Sequence, residues 1–583
     1  MGDPAANVVR FAKAIEEEQP LLLRGIRELS VPSLPHAESG LHRIIREWGM
    51  ALPIDIYLFN KGILFAPMCL PSRILEFYLC KKPHILFGGF DRNHFALDAF
   101  LQSFWEGYRY EDADHQVFQV HGNRLHRCFP ICIYADEGRG LRKAPIQVVA
   151  LETLWGLKTF SACEKLAKAR GWNSQTFWEA SDHTGRGSSL TSRLLLYVLP
   201  HGAYKKKQKH FWYDTFGAPV QDLAKLFTSG ITDRNGETWF PILIGVKGDA
   251  PALNKIGNFT RSFLRIIGNK GVCHLCMAGT PGHMWEDMRS SASWHGTICQ
   301  ERPWTDRNPS CVLPIPFSLQ EPEKVFRSDC MHLVKLGVAR HFIASCVVAL
   351  GDWDIFNGSA QSMASLLELS HSDFVWCCKH EIRQTPHLKL FSKEGFHWPR
   401  RTSYPWGGWK AADSLMLARW LLLVLRQGAV KPDGTGRSGV TYLSDPEKGH
   451  IFRAMEDACC SILRFFQIIH KNGLLAQAAA DSVQLFCQSY TFLAREFSKL
   501  AKFLFHLEPA LHMFRHVGLR IETILRTGAP AVISPAAYLT DLSEDFIGVC
   551  SRISRRVAAR TCGHRTLQRM LIRYHLEFEK LGL

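Results

Sequence analysis

The sequence predicts an α/β protein: a mixed sheet follows a helical N-terminal region and is interrupted by a large all-α insertion. Three observations point to it. Runs rich in Ile, Val and aromatic residues, CFPICIYAD, APIQVVALET and TWFPILIGVKGD, gather between Cys128 and Asp249, and such runs bounded by turn residues read as strands. After Asp329 the strand signals stop and apolar residues recur at helical spacing. Beyond RTGAPAVISP one more amphipathic pattern begins at LSEDFIGVCSRISRR.

The elements follow in order. Residues 1–127 form the helical N-terminal region, where LPSRILEFYLC and NHFALDAFLQSFWEGY carry apolar residues at helical spacing. Residues 128–340 carry the strands and form the first part of the core. Residues 341–530 are the helical insertion, built from HFIASCVVAL, AADSLMLARWLLLVLRQG, CCSILRFFQIIH and DSVQLFCQSYTFLAREFSKLAKFLF, with KPDGTGRSG as a loop between two of them. Residues 531–583 supply C-terminal helices that complete the core. No internal repeat is visible.

A chain of 583 residues exceeds what one hydrophobic core supports, so two or more domains or one domain with a large insertion are expected. Lys and Arg number 70 against 54 Asp and Glu, and the net charge of +16 suits a polyanionic partner such as nucleic acid. The 18 cysteines follow no secreted-framework spacing, which favours reduced thiols inside a cell. The first residues, MGDPAANVVRFAKAIEEEQP, lack the basic start and apolar core of a secretory signal, so no export is expected. The greasiest stretch, SLMLARWLLLVLRQG, is broken by Arg419 and too short to cross a bilayer, so no membrane association is expected. The chain contains no GxxxxGK[ST], GxSxG, HExxH or CxxCH, which argues against a nucleotide-driven motor, an α/β-hydrolase and a zincin.

The candidate chemistry is acidic. Two buried strands deliver Asp136 and Asp249 at their ends, each followed by small or turn-forming residues. Carboxylates fixed on separate strands can share divalent metal ions, although ordinary turn aspartates would look the same. Glu544 and Asp545 open a late helix with Ser543 as its expected N-cap, and helix-start acids are favoured by the dipole alone. Glu544 is the preferred third acid and Asp545 the alternative.

Cys273 and Cys276 in VCHLC have the spacing of half a zinc site. His283, Cys299 and His332 are the nearby candidate partners, none of which forms a second pair, and buried thiols are the competing reading. Asp329 and His332 stand one helical turn apart, as a polar cluster capping a helix also would. Lys205, Lys206, Lys207 and Lys209 abut Phe211, Trp212 and Tyr213, a pattern that suits phosphates and an unpaired base. Arg552, Arg555, Arg556, Arg560, Arg565 and Arg569 follow the third acid, where they could flank a phosphodiester or pair with surface acids.

Taken in order, FPICIYADEG, FPILIGVKGDAPALNKIGNFTRSF, VCHLCMAGTP, SDCMHLVKLGVARHF and the SEDFIG helix resemble the DDE-type transposases of the CACTA-like and Plavaka-like groups. The first four pieces lie between about Cys128 and His341. The resemblance implies a ribonuclease H-like mixed sheet interrupted by a helical insertion, with two Mg²⁺ or Mn²⁺ ions held by Asp136, Asp249 and Glu544. It also implies cleavage and strand transfer on mobile-element DNA, a nuclear or otherwise intracellular setting, and action as a homo-oligomer. Asp329 and His332 would be the D-x-x-H element, in a structural or DNA-contacting role. The sequence departs from the family pattern in having no DNA-binding finger before the core. An inactive DNA-binding descendant and a nuclease without transfer activity are the two rivals.

Overall fold

Five strands form one mixed sheet: β3 (Cys128–Arg139), β4 (Pro145–Thr153), β5 (Arg193–Pro200), β6 (Ile231–Thr232) and β7 (Thr238–Lys247). Their order across the sheet is β5-β4-β3-β7-β6. β3, β4 and β5 pair antiparallel in succession, β7 lies parallel to β3, and β6 runs antiparallel to β7. A parallel β3–β7 pair needs a long crossover, which passes through β4, β5 and the Phe211–Ser229 helix. The computed structural model describes the chain apart from residues 1–3, 19–23, 34–35, 62–63, 183–186, 204–210, 265–269, 357–361, 472–476 and 531.

Every residue of β3 from Cys128 to Asp136 is buried, as expected of a central strand covered on both faces. The N-terminal region supplies part of that cover. Trp105, on the Leu97–Tyr108 helix, donates its indole N–H to the Cys128 carbonyl at 2.9 Å. This region is not wholly helical, as the periodicity suggested. It also contains an antiparallel hairpin of β1 (Tyr57–Lys61) and β2 (Leu64–Met68). Pro53 before the hairpin and Pro67 within β2 disfavour a helix interior, and Cys69, just past β2, donates its backbone N–H to Leu196 of β5 at 2.7 Å.

Among the described residues two large apolar cores result, beside a small cluster of Ala6, Val9, Ala37 and Leu41. The first joins the N-terminal region and the sheet to the C-terminal helices Asp541–Ser554 and Cys562–Leu581 through Phe546, Ile547, Leu567, Met570 and Tyr574. The second belongs to the helical block: Ala339–Asp352, Met363–Cys377, Ala411–Gln427, Gly449–Ile469, Gln477–Lys499 and Pro509–Arg526. That second core also takes in Val272, Cys273, Cys276 and the Met331–Val338 segment, which all precede residue 341. Met331–Asp352 is long and apolar enough to cross a membrane by length and composition, and 78% of its most apolar window is buried inside the protein.

Candidate functional site

β3 does not end at Asp136, as its sequence suggested; it runs on to Arg139 with β4 beside it, Asp136 opposite Val148. What ends near Asp136 is the pairing with β7, whose last register pair is Tyr134 with Lys247. Beyond it β7 peels away through Gly248. A Cβ there would lie 2.4 Å from the Ala135 carbonyl oxygen, so only glycine permits this approach of the two strand ends. The next residue, Asp249, caps the Ala250–Gly257 helix by accepting the Ala252 N–H at 2.7 Å.

The third carboxylate arrives on the Asp541–Ser554 helix, which lies across β3. Gly138 makes room for it: a Cβ there would stand 2.5 Å from Ser551 Oγ and 2.7 Å from Ile547 Cγ2. Thr540, not Ser543, is the N-cap residue, and Ser543 lies buried inside the helix. Ser543 donates to Glu152 of β4, which Lys247 of β7 and Arg193 of β5 also engage. Lys247 reaches the Ala537 carbonyl at 3.2 Å as well. This ionic cluster, buried in the sheet's face, fixes the rotation of the helix. Asp545 accordingly turns away and accepts a hydrogen bond from Ser189 at 2.7 Å, while Glu544 turns toward Asp136.

Ligating atoms of Asp136, His332 and Glu544 all lie within 4.8 Å of one another. The Tyr134 hydroxyl, two residues from Asp136 and so on the same face of β3, is 3.2 Å from Asp136 Oδ2 and 3.3 Å from Glu544 Oε1. Asp249 stands outside that close group, yet its charge bears on Asp136. Burial first, then Asp249 and Glu544, raise the Asp136 carboxyl well above its usual range. Burial also raises Asp249, against the pull of the Ala252 N–H. His332 opposes this negative charge at both aspartates, and Lys255 opposes it at Asp249.

His332 lies on the Met331–Val338 segment and Asp329 just before it, and the two take different roles. Asp329 is buried, accepts the backbone N–H groups of Met331 at 2.9 Å and Thr540 at 3.2 Å, and is also bonded by the Thr540 hydroxyl. It therefore ties this segment to the start of the Glu544 helix. Its other partner is His332 Nδ1, at 2.6 Å. Although burial opposes it, that bond and the charges of Asp329, Asp136 and Glu544 raise His332 to about 9.

Cys273 and Cys276 meet two residues that local spacing did not suggest, His512 and His516 on the Pro509–Arg526 helix. All four side chains are buried. Cys273 Sγ lies 3.4 Å from His516 Nε2, Cys276 Sγ 3.3 Å from both His512 Nε2 and His516 Nε2, and the two imidazole nitrogens 3.1 Å apart. Of the partners considered from sequence, His283 bonds Ser293, Cys299 meets the cysteine turn through its backbone N–H on the Leu275 carbonyl (2.7 Å) while its thiol pairs with Glu323, and His332 belongs to the acidic group. The signal that was missed is the four-residue spacing of His512 and His516 in LHMFRH, which puts both on one helix face.

Lys205, Lys206, Lys207 and Lys209 lie outside the described residues, as do the side chains of Phe211, Trp212 and Tyr213. Arg552, Arg555 and Arg556 are exposed at the C-terminal end of the Glu544 helix, and Arg555 donates to the Arg139 carbonyl at 2.9 Å. Exposed Arg139, Arg142 and Lys143 at the β3–β4 turn extend that basic surface. Arg569 instead pairs with Glu38 at 2.8 Å, and Arg565 bonds Ser39. No known protein-family model matches the chain, and no curated protein matches it in sequence.

Proposed function

We propose that the protein is a metal-dependent phosphodiester-cleaving enzyme of the DDE transposase type, acting inside the cell on mobile-element DNA. The observation that carries this reading is the convergence of Glu544 on Asp136, beside Asp249, from a helix far away in sequence. Three antiparallel strands with a fourth parallel to the first, the acids on the central pair, also suit a ribonuclease H-like core.

The donor set fits hard divalent cations. Its members offer carboxylate oxygens, and two of them resist ionisation until positive charge is supplied. Asp136, Asp249 and Glu544 would hold the Mg²⁺ or Mn²⁺ ions. Such ions supply an activated oxygen nucleophile and charge neutralisation at the leaving oxygen.

The chain's own groups do the rest. Tyr134 holds Asp136 and Glu544 side by side, and Asp329 orients the His332 ring so that Nε2 faces Glu544 at 3.8 Å. The exposed arginines of the Glu544 helix and the β3–β4 turn would neutralise the DNA backbone beside the acids.

Nicking of supercoiled plasmid in Mg²⁺ or Mn²⁺, followed by capture of a labelled 3′-hydroxyl end into target DNA, tests the proposal. Wild-type protein should do both, and Asp249→Asn should do neither while keeping its fold. Undiminished nicking by Asp249→Asn defeats the mechanism. Nicking without end capture favours a nuclease, and salt-sensitive DNA binding without any nicking favours a non-catalytic descendant.

A further inference from the structure

The cysteine pair and the histidine pair have no part in the acidic site, and their geometry is specific. A zinc ion with bonds of about 2.3 Å to sulfur and 2.0–2.1 Å to nitrogen sets its tetrahedral ligands roughly 3.3–3.8 Å apart. The four separations in the structure run from 3.1 to 3.4 Å, at or slightly inside the lower end of that range. Backbone N–H groups aim at both sulfurs, Leu275 at Cys273 (3.2 Å) and Ala278 at Cys276 (3.5 Å). Such donors stabilise thiolates in a tight turn.

The surroundings hold this arrangement in place. Arg261 donates to the carbonyls of Cys273 (3.0 Å) and Cys276 (3.1 Å), fixing the turn. The Trp294 ring packs against His512 at 4.3 Å and His516 at 5.0 Å, setting both imidazoles and excluding water. Four soft or borderline ligands, all buried, leave no position open to substrate. Another histidine-bearing group among the described residues, His341, His506 and Glu508, differs: its side chains are 14%, 42% and 32% exposed, joined by a His506–Glu508 hydrogen bond at 3.0 Å and a His341–Glu508 contact at 3.5 Å.

We infer that Cys273, Cys276, His512 and His516 bind one structural zinc ion that clips the loop after the second aspartate to the last helix of the helical block. The clip joins segments roughly 240 residues apart in sequence. The histidine helix packs on the Met331–Val338 segment that carries His332, so the ion also steadies one wall of the acidic site. The inference does not depend on the cleavage reading.

Full-length protein expressed with added zinc should carry one zinc per chain by elemental analysis after gel filtration. Replacement with Co²⁺ should give a thiolate-to-cobalt charge-transfer band and the visible bands of a tetrahedral ion. Cys273→Ser and His516→Ala should lose both signals, while His283→Ala and Cys299→Ser keep them. Zinc removal should speed hydrogen exchange in Pro509–Arg526 and Met331–Val338 and leave β3 and β4 protected. The wild-type protein decides whatever the folding of the variants: a zinc-free chain that also gives no thiolate–cobalt band overturns the inference, as does full zinc retention by a folded Cys273→Ser.

Discussion

His332 and Glu544 face each other at 3.8 Å across the acidic site, one carried by the entry to the helical block and the other by the helix that follows it. The two ends of the insertion are thus brought together at the site itself. Asp329 makes the junction, bonding His332 on one side and Thr540 on the other.

This junction separates the two adjacent acids. On the proposed mechanism Glu544→Gln should lower metal-dependent nicking by at least ~100-fold, since it replaces a charged carboxylate by a neutral amide. Asp545→Asn should keep activity within about threefold and cost about 1 kcal/mol of stability through its weakened bond to Ser189. Rates of plasmid nicking and urea denaturation check both, and the reverse ranking would assign the third acid to Asp545.

Proton linkage gives a second prediction. Asp136 has a raised carboxyl in the fold, so its own contribution to the stability of metal-free protein is fully present below the unfolded carboxylate range and is lost as pH rises through the raised value. His332, raised to about 9, adds a loss in the same direction between its ordinary value near 6.5 and about 9. On the proposed mechanism Mg²⁺ would take the place of the bound proton, so its stabilising effect on Tm should be larger at about pH 8 than at about pH 6. Asp136→Asn should stabilise metal-free protein by roughly 1–2 kcal/mol while abolishing both nicking and the Mg²⁺ effect.

Gly138 governs the approach of the Glu544 helix to β3. Gly138→Val should cost about 1–3 kcal/mol by overpacking against Ser551 and Ile547, and should reduce nicking more than it reduces DNA binding. Thermal denaturation and fluorescence anisotropy with labelled DNA separate the two effects.

The buried ion cluster is a fourth target. Lys247→Met leaves Glu152, which is 2% exposed, with Arg193 alone among its cations and should destabilise the fold by about 3–5 kcal/mol. Lys247→Met combined with Glu152→Leu should recover part of that loss, because the unpaired charge is then gone. If the single and double variants were equally unstable, the cluster would not hold the sheet in this way.

Much of this architecture is visible in local sequence. Strands β3, β4 and β7 announce themselves by β-branched runs, and the helical block by its spacing, because burial on one face or two imposes those periods directly. The hairpin of β1 and β2 was missed because each strand is only five residues long and lies among helical patterns. Asp136 and Asp249 were legible because an apolar run ended at a carboxylate, although β3 itself continues past Asp136.

The sequence by itself determined the order of the parts: first aspartate, second aspartate, cysteine pair, D-x-x-H element, helices, last acid. The tertiary structure decided which of them meet. Glu544 and Asp545 are neighbours that differ only in direction, and the docking of Ser543 on Glu152 chose between them. His512 and His516 come to the cysteines only when the helical block folds back on the loop that precedes it. Local patterning reports which face of an element is buried, whereas the meeting of distant side chains depends on how elements pack, and no single stretch of sequence carries that information.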